Sequence, residues 1–260
     1  MKTTLYLVLV TWLISSSSTA FRPSPHCAGS SREVRAVDAF TQVLLTTSVN
    51  VVVRQGPQQV VVEAPVEDMA CLITAVEHGQ LRIGTAFPHS LDWLSPHRWG
   101  TVTIYVTLPT VRSLVVESAG EVRADGLLAG QLRLAVSGAG RLQLGQVQAS
   151  SVQARVSSSG HVTIRELRAD TLWAKVTGSG NITAAGSCTY AALNLSSSGH
   201  INTNELATQT CQAHLSGAGS CRVKVSHTLN ANISSSGSLL VSGNPYISQY
   251  ISGRGHVLRQ

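Results

Sequence analysis

A glycine recurs about every 20 residues through the C-terminal half of this 260-residue chain. It closes a four-residue signature that begins with a hydroxyl residue in most copies, as in Ser137-Gly138-Ala139-Gly140. The eight glycines, called corner glycines below, are Gly120, Gly140, Gly160, Gly180, Gly199, Gly219, Gly237 and Gly255, and they are 20, 20, 20, 19, 20, 18 and 18 residues apart. A fixed period of this length indicates a repeat architecture in which each unit packs on its neighbours.

Positions counted from each corner glycine show which side chains point inward. The position four residues before it always carries Val, Leu or Ile, and the position two after it is apolar in every copy, with Cys221 as one member. The positions six and eight before it are also mostly apolar, whereas the position directly after it is polar or charged throughout. This alternation on both sides of a small-residue corner is the period of a β-strand.

Each repeat is therefore predicted to supply two short strands that share one core. A single repeat cannot bury its apolar side chains alone, so the repeats must stack, at about 4.8 Å per rung, into parallel ladders. The fold class predicted is all-β, a parallel β-solenoid with turns of about 20 residues. We expect the corner glycines to be structural, because a tight corner favours positive φ and close backbone approach. The hydroxyl column three residues before them is interpreted as a structural ladder as well.

The region before the repeats is less regular but rich in strand patterns. Turns are expected around Gly56 and Gly79. The strand candidates are Val49–Val53, Gln59–Glu63, Gln80–Ile83 and Thr101–Val106. Residues 37–258 are thus predicted to form one domain, with regular repeats from about 112 to 258.

The N-terminus has the layout of a secretory signal peptide over residues 1–20. Lys2 supplies a positive charge, Leu5–Ile14 is mostly apolar, and Ser18-Thr19-Ala20 offers small residues for cleavage. Residues 21–36 are predicted to be a flexible leader. The residues before Cys27 match a lipoprotein signal poorly, so we expect no lipid anchor there. No later stretch predicts a transmembrane helix.

No motif in the chain names a reaction, and we expect no catalytic residue, cofactor or metal. Glu166 and Glu205 share a repeat position but lie two turns apart, roughly 10 Å, which is the outer edge for an inverting carboxylate pair. We interpret both as surface carboxylates. A polysaccharide-active enzyme nevertheless stays open as an alternative.

Histidines and cysteines do not form a ligand set by their spacing, and a metal site stays open only if His89 and His97 of the irregular segment converge with His78. His161, His200 and His256 lie in one outward column but at least two turns apart, too far for a shared zinc ion. Cys211 and Cys221 fall in inward columns, where Cys behaves as a small hydrophobe, whereas Cys188 falls outside them. Export permits disulfides, but the spacing does not choose a pairing among these, Cys27 and Cys71.

Two surfaces are candidates for binding. One is the irregular segment from Phe87 to Gly100, where Trp93 and Trp99 could stack on a sugar or contact a protein. The other is an outward face of the solenoid. Its candidate residues are Arg155, Trp173, Lys175, Asn194 and His214. Local packing of each Trp is the competing interpretation.

Three groups of residues carry a family resemblance. They are Phe40-Thr41-Gln42-Val43 with Val51–Gly56, the segment Tyr105–Pro109, and the train of Ser-Gly-x-Gly and Ser-Ser-Ser-Gly corners. With them, the chain resembles the auto-transporter adhesin head GIN domain family over about Asp38 to Leu258. The resemblance implies a right-handed parallel β-helix in an exported bacterial protein, in the periplasm or on the outer surface. The family has no established activity, so the resemblance names no catalytic residues.

Three functions are compatible with these observations. The favoured one is a non-enzymatic cell-envelope module for adhesion or for binding a surface polysaccharide or an envelope protein. The alternatives are a polysaccharide-active β-helix enzyme and a purely structural spacer. A nucleic-acid partner is not expected, since the net charge of +6 comes from scattered basic residues without a basic stripe.

Overall fold

The computed structural model describes residues 30–86 and 100–260. Strands make up most of these residues, and the one helix among them, α1 (Val66–Met69), is a single turn. In the described ranges no helix has the length and apolar character needed to cross a membrane. The prediction of an all-β protein is confirmed.

The strands form one continuous hydrogen-bonded sheet that closes into stacked coils. In chain order they are β1 (Ser30–Arg35), β2 (Gln42–Leu45), β3 (Asn50–Gln55), β4 (Gln59–Pro65), β5 (Leu72–Glu77), β6 (Gln80–Thr85), β7 (Thr103–Leu108), β8 (Ser113–Val116), β9 (Glu121–Ala124), β10 (Leu127–Val136), β11 (Arg141–Val156), β12 (His161–Val176), β13 (Asn181–Leu195), β14 (His200–Leu215), β15 (Ser220–Ile233), β16 (Ser238–Ser242), β17 (Tyr246–Ile251) and β18 (His256–Arg259).

Each regular coil has three sides, of which the repeat columns predicted two. In β11 the post-corner side is Arg141–Leu144, the middle side is Gln146–Ala149, and the pre-corner side is Ser151–Val156. All three pair in parallel with the next coil, and residues one repeat apart are direct partners. The solenoid prediction is therefore confirmed, and the middle side is an addition to it.

The middle side also absorbs the changes in coil length. The 19-residue coil between Gly180 and Gly199 shifts register between Ile164 and Leu167 of its neighbour. Gly186 lies at that place with a φ of +118°, and a Cβ on it would lie 2.2 Å from the Leu167 carbonyl oxygen. The coils differ in length on the middle side, so the columns near the corners stay aligned. The residues of the middle side do not keep a fixed distance from the corner glycine in the sequence.

The N-terminal strands join the same ladders in a different order. β2 pairs with both β6 and β8, and β3 pairs with both β7 and β9. The coil made by β2 and β3 is therefore stacked between the later coil of β6 and β7 and the first regular repeat. Segment 87–99, which lies outside the described residues, connects β6 to β7 in chain order.

Part of the predicted flexible leader is a strand. Ser30–Arg35 pairs antiparallel with β4, and Arg35 donates a hydrogen bond to the carbonyl of Met69 at 3.1 Å. The single large apolar residue of β1, Val34, is exposed, so the strand has no alternation of apolar and polar residues from which the sequence could predict it. The prediction of a flexible leader over 21–36 is wrong for this strand, while the signal peptide of residues 1–20 and Cys27 lie outside the described residues.

The corner glycines are needed for close packing rather than for an unusual φ. The glycines with positive φ in the described residues are Gly56, Gly79, Gly126, Gly186 and Gly243, so the left-handed backbone expected at the corners is wrong. The close approach is present. A Cβ on Gly180 would lie 2.2 Å from the carbonyl oxygen of Gly160, and one on Gly219 would lie 2.1 Å from that of Gly199. Any side chain there would force neighbouring coils apart.

The position two residues before the corner glycine alternates strictly between Ser and Gly. Its members are Ser118, Gly138, Ser158, Gly178, Ser197, Gly217, Ser235 and Gly253. A Cβ on any of these four glycines would lie 2.1–2.4 Å from the carbonyl oxygen of the Ser in the preceding coil. Two of the serine hydroxyls donate to backbone carbonyls of the preceding coil, Ser118 to Thr47 at 2.6 Å and Ser197 to Gly178. The structural period at the corners is thus two coils.

Candidate binding face

The outward residues of the pre-corner side form one flat surface, called the pre-corner face below. Three columns make it, at five, seven and nine residues before the corner glycine. From the second regular coil to the last they are Ala135, Arg155, Lys175, Asn194, His214, Asn232 and Tyr250; Arg133, Gln153, Trp173, Ala192, Gln212, Asn230 and Ser248; and Gln131, Ser151, Thr171, Tyr190, Thr210, Thr228 and Tyr246. None of these residues is acidic, and most are at least partly exposed.

Trp173 is the principal aromatic side chain of this face. It is 47% exposed, and its ring meets that of Tyr190 edge-on, with 6.1 Å between the centroids. The Tyr190 hydroxyl donates to Oε1 of Gln212 at 2.8 Å. Ala192, which lies between Trp173 and Gln212 in their column, is only 4% exposed, so neighbouring side chains cover it. Trp173 therefore packs against Tyr190 and is also about half exposed to solvent.

Arg155 and Lys175 are direct partners on neighbouring coils, and both are exposed. The ion pairs between described residues are Arg35–Glu33, Arg123–Glu121 and Arg168–Glu166, and none of them is on the pre-corner face. Lys175 pairs in register with Asn194, which pairs with His214. The structure thus places four sequence-predicted residues on the same face within four consecutive coils. They are Arg155, Trp173, Lys175 and His214.

The other predicted surface lies outside the described residues. Trp93 and Trp99 both fall in segment 87–99. Binding by that segment stays a prediction.

A second aromatic patch on the pre-corner face was missed in the sequence. Tyr246 is 76% exposed and Tyr250 is 66% exposed, and both project from β17 in the last coil. They occupy the same columns as Tyr190 and His214. Reading those columns to their end would have identified them.

Several polar side chains on the other two sides are hydrogen-bonded to neighbours. Glu166, on the middle side, accepts hydrogen bonds from Gln146 at 3.0 Å and from Arg168 at 2.9 Å. Glu205 pairs in register with Ala185 of β13, and this coil lies between Glu205 and the coil of Glu166. On the post-corner side, Nδ1 of His200 lies 2.8 Å from the Ser220 hydroxyl. Residues 30–86 and 100–260 contain no group of three His, Cys, Asp or Glu side chains placed to hold a metal ion.

The described cysteines are all free thiols. Cys188, Cys211 and Cys221 are buried, and Cys71 is partly exposed. Cys188 is only 5% exposed, because it points inward from the middle side. The inward columns predicted from the sequence did not include this side, so they did not predict the burial of Cys188. Burial raises the pKa of the Cys211 thiol to about 12, with a further contribution from the nearby Cys188. Burial likewise raises the pKa of Cys188 and Cys221, so these thiols are protonated and unreactive at neutral pH.

Several solved structures share this fold at low sequence identity. A putative lipid binding protein from Parabacteroides distasonis superposes with a TM-score of 0.81 at 18% identity, covering 90% of this chain and 98% of that one. A putative adhesin from Parabacteroides merdae gives a TM-score of 0.79 at 16% identity, covering 89% and 96%. A putative adhesin from Bacteroides fragilis gives 0.64 at 19% identity, covering 89% and 97%. These likenesses show the fold, whereas no curated protein sequence matches significantly.

The family assignment comes from a sequence model. The model described as "Putative auto-transporter adhesin, head GIN domain" matches residues 39–245, which include the N-terminal coils and all corner glycines except the last. The match covers well over half of the chain, and the chain therefore belongs to this adhesin-like head GIN domain family.

Proposed function

We propose that this chain is an exported bacterial binding module without enzymatic activity, and that it contacts a glycan or an envelope protein through the pre-corner face. The half-exposed ring of Trp173 is the observation that carries the proposal. Exposed Trp and Tyr side chains supply most of the energy in many interfaces, since they bury a large area with few rotatable bonds.

The setting of Trp173 favours recognition. Its ring is on a hydrogen-bonded sheet, and its neighbour Tyr190 is held in turn by Gln212. A binding group on a rigid element keeps its geometry, so little ordering entropy is lost when the partner binds. The family description agrees with a binding role, and so does the fold shared with the putative adhesins of P. merdae and B. fragilis.

The distribution of carboxylates supports a module that binds rather than cleaves. Hydrolysis of a glycosidic bond generally uses two carboxyl groups that flank it. The pre-corner face carries none, and Glu166 on the middle side is engaged by Gln146 and Arg168.

The test is a binding screen of the secreted full-length chain against surface glycans and envelope proteins, alongside an assay for released sugar. We expect a partner that binds without being cleaved, and Trp173→Ala should weaken that binding at least tenfold. Leu128→Ala is the matched control, because Leu128 is 63% exposed on the middle side. Cleavage of any bound glycan would contradict the proposal, and so would equal loss of binding in both variants.

A further inference from the structure

We propose that the ligand of the pre-corner face is an acidic glycan, a polysaccharide bearing carboxylate or sulfate groups, which lies along the solenoid axis. This inference rests on the proposed function, and it adds the chemical class of the ligand and its direction.

Charge is the first argument. Arg133, Arg155 and Lys175 are exposed on a face whose three columns contain no Asp or Glu over seven coils. The other two sides are mixed in sign. The post-corner side carries Glu121, paired with Arg123, besides exposed cations such as Arg141 and Arg222, and the middle side carries Glu166, paired with Arg168. The pre-corner face therefore carries cationic side chains without any acidic ones in its three columns.

The register of the cations is the second argument. Arg155 and Lys175 are direct cross-strand partners, so their side chains start about 4.8 Å apart. Like charges placed opposite each other destabilise a sheet. An anionic group bound between them would remove that repulsion, and each cation keeps its donors free for it, since neither is hydrogen-bonded within the described residues.

The aromatic ring next to these cations specifies a sugar rather than a simple anion. Trp173 is two residues before Lys175 on the same strand, and its register partner Gln153 is two residues before Arg155. A sugar ring can therefore lie against Trp173 while its acidic group reaches the cations in the next column. The amides of Gln153 and Asn194 are within the same area and can donate to hydroxyl groups.

The second aromatic patch gives the direction. Tyr250 lies four coils beyond Trp173, which is about 19 Å at the spacing of parallel rungs. Between them the face carries only amide, hydroxyl, imidazole and small side chains, among them His214, Thr210 and Asn232. A linear polymer that follows the axis contacts both patches, whereas a short oligosaccharide reaches one.

Binding of the secreted full-length chain to three soluble polymers tests the inference: polygalacturonate for carboxylate, dextran sulfate for sulfate, and unmodified dextran as the neutral polymer. We expect at least one acidic polymer to bind at least tenfold more tightly than dextran, and to be weakened as salt rises from 50 to 500 mM. The double variant Arg155→Gln/Lys175→Gln should lose about tenfold in affinity. Arg123→Gln/Arg168→Gln, with the same change of charge on the other two sides, should bind like the wild type.

Length dependence tests the direction. Tyr250→Ala should weaken binding of a long acidic polymer several-fold and leave that of its disaccharide unchanged, whereas Trp173→Ala should weaken both. Equal effects of Tyr250→Ala on both lengths would overturn the axial arrangement.

Other outcomes separate this inference from the proposed function. If dextran binds as tightly as the acidic polymers and only Trp173→Ala weakens it, the acidic ligand is wrong and the binding module stands. Equal loss in the two double variants would mean unspecific attraction to net charge, and it would overturn the inference. Binding only to phosphatidylglycerol vesicles, or only to a protein, would overturn it as well.

Discussion

The corners and the pre-corner face belong to the same coils, yet their residue types follow opposite rules. The corner position is Gly in all eight repeats. Five residues earlier, the successive residues are Val115, Ala135, Arg155, Lys175, Asn194, His214, Asn232 and Tyr250. The two positions are separated by one inward apolar residue and the three residues that begin the corner.

The difference follows from what each position touches. A corner glycine lies against the backbone of the preceding coil, and backbone cannot move aside without breaking the ladder. A residue on the face extends into solvent, so any side chain is tolerated there. Regularity therefore marks the scaffold, and the departures from regularity on the face mark where a ligand can be recognised.

The largest effect is expected from a side chain at a corner. Gly180→Ala places a Cβ 2.2 Å from the Gly160 carbonyl oxygen, and we expect the free energy of unfolding to fall by at least about 3 kcal/mol. Denaturant titration followed by circular dichroism measures this change.

Gly130→Ala is the matched control for that substitution. Gly130 has ordinary φ, and no atom lies within 4 Å of the place its Cβ would occupy. We expect no loss, and a gain of up to about 1 kcal/mol, because alanine restricts the unfolded chain. Similar losses in the two variants would show that corner packing is not the cause.

A somewhat smaller effect is expected from breaking the two-coil alternation. Gly178→Ser puts a Cβ 2.4 Å from the Ser158 carbonyl oxygen, but the site is partly exposed, so we expect a loss of about 2 kcal/mol. The opposite change, Ser197→Gly, removes only one hydrogen bond to the Gly178 carbonyl and should cost about 1 kcal/mol. If the two changes cost the same in denaturant titrations, the alternation has no steric basis.

The sequence predicted the solenoid and the pre-corner face because both depend on strict alternation near the corners. Trp173 and Lys175 could be placed on one outward face by counting from Gly180 alone. The middle side was not predicted, since register shifts near Gly186 displace its apolar residues from any fixed column. The stacking of β2 between β6 and β8 was also missed, because it depends on contacts between segments that no local pattern connects.

The patch of Tyr246 and Tyr250 lies in outward columns that run through all the regular coils, so the sequence pattern predicts its face but not the extent of its exposure. Their exposures of 76% and 66% depend on how β17 stacks on β15, which the column alone does not give. Cys188 is buried on the middle side, which the predicted pattern of two strands per repeat did not include.

An intermediate effect is expected from the buried thiols at high pH. The pKa of Cys211 is raised from 9.0 to about 12, so the folded state keeps a proton that the unfolded state loses above pH 9. The stability this thiol contributes is complete below pH 9 and is lost as the pH rises towards 12, by about 1.4 kcal/mol per pH unit.

Cys211→Ala isolates that contribution, and Ala191 already occupies the same column one coil earlier. We expect the variant to be less stable than the wild type at pH 8 and the gap to narrow between pH 9 and 11, in denaturant titrations under reducing conditions. A gap that stays constant over this range would contradict the assignment.

The smallest effect is expected on the pre-corner face itself. Arg155→Gln and Lys175→Gln should each change the free energy of unfolding by less than about 0.5 kcal/mol, because both side chains are exposed and without an ionic partner on their face. Removing one of two like charges in register should, if anything, stabilise the sheet. A loss of several kcal/mol in either variant would place these residues with the corner glycines as scaffold. Near-neutral stability would mean that any loss of binding in the same variants reports on the ligand and not on the fold.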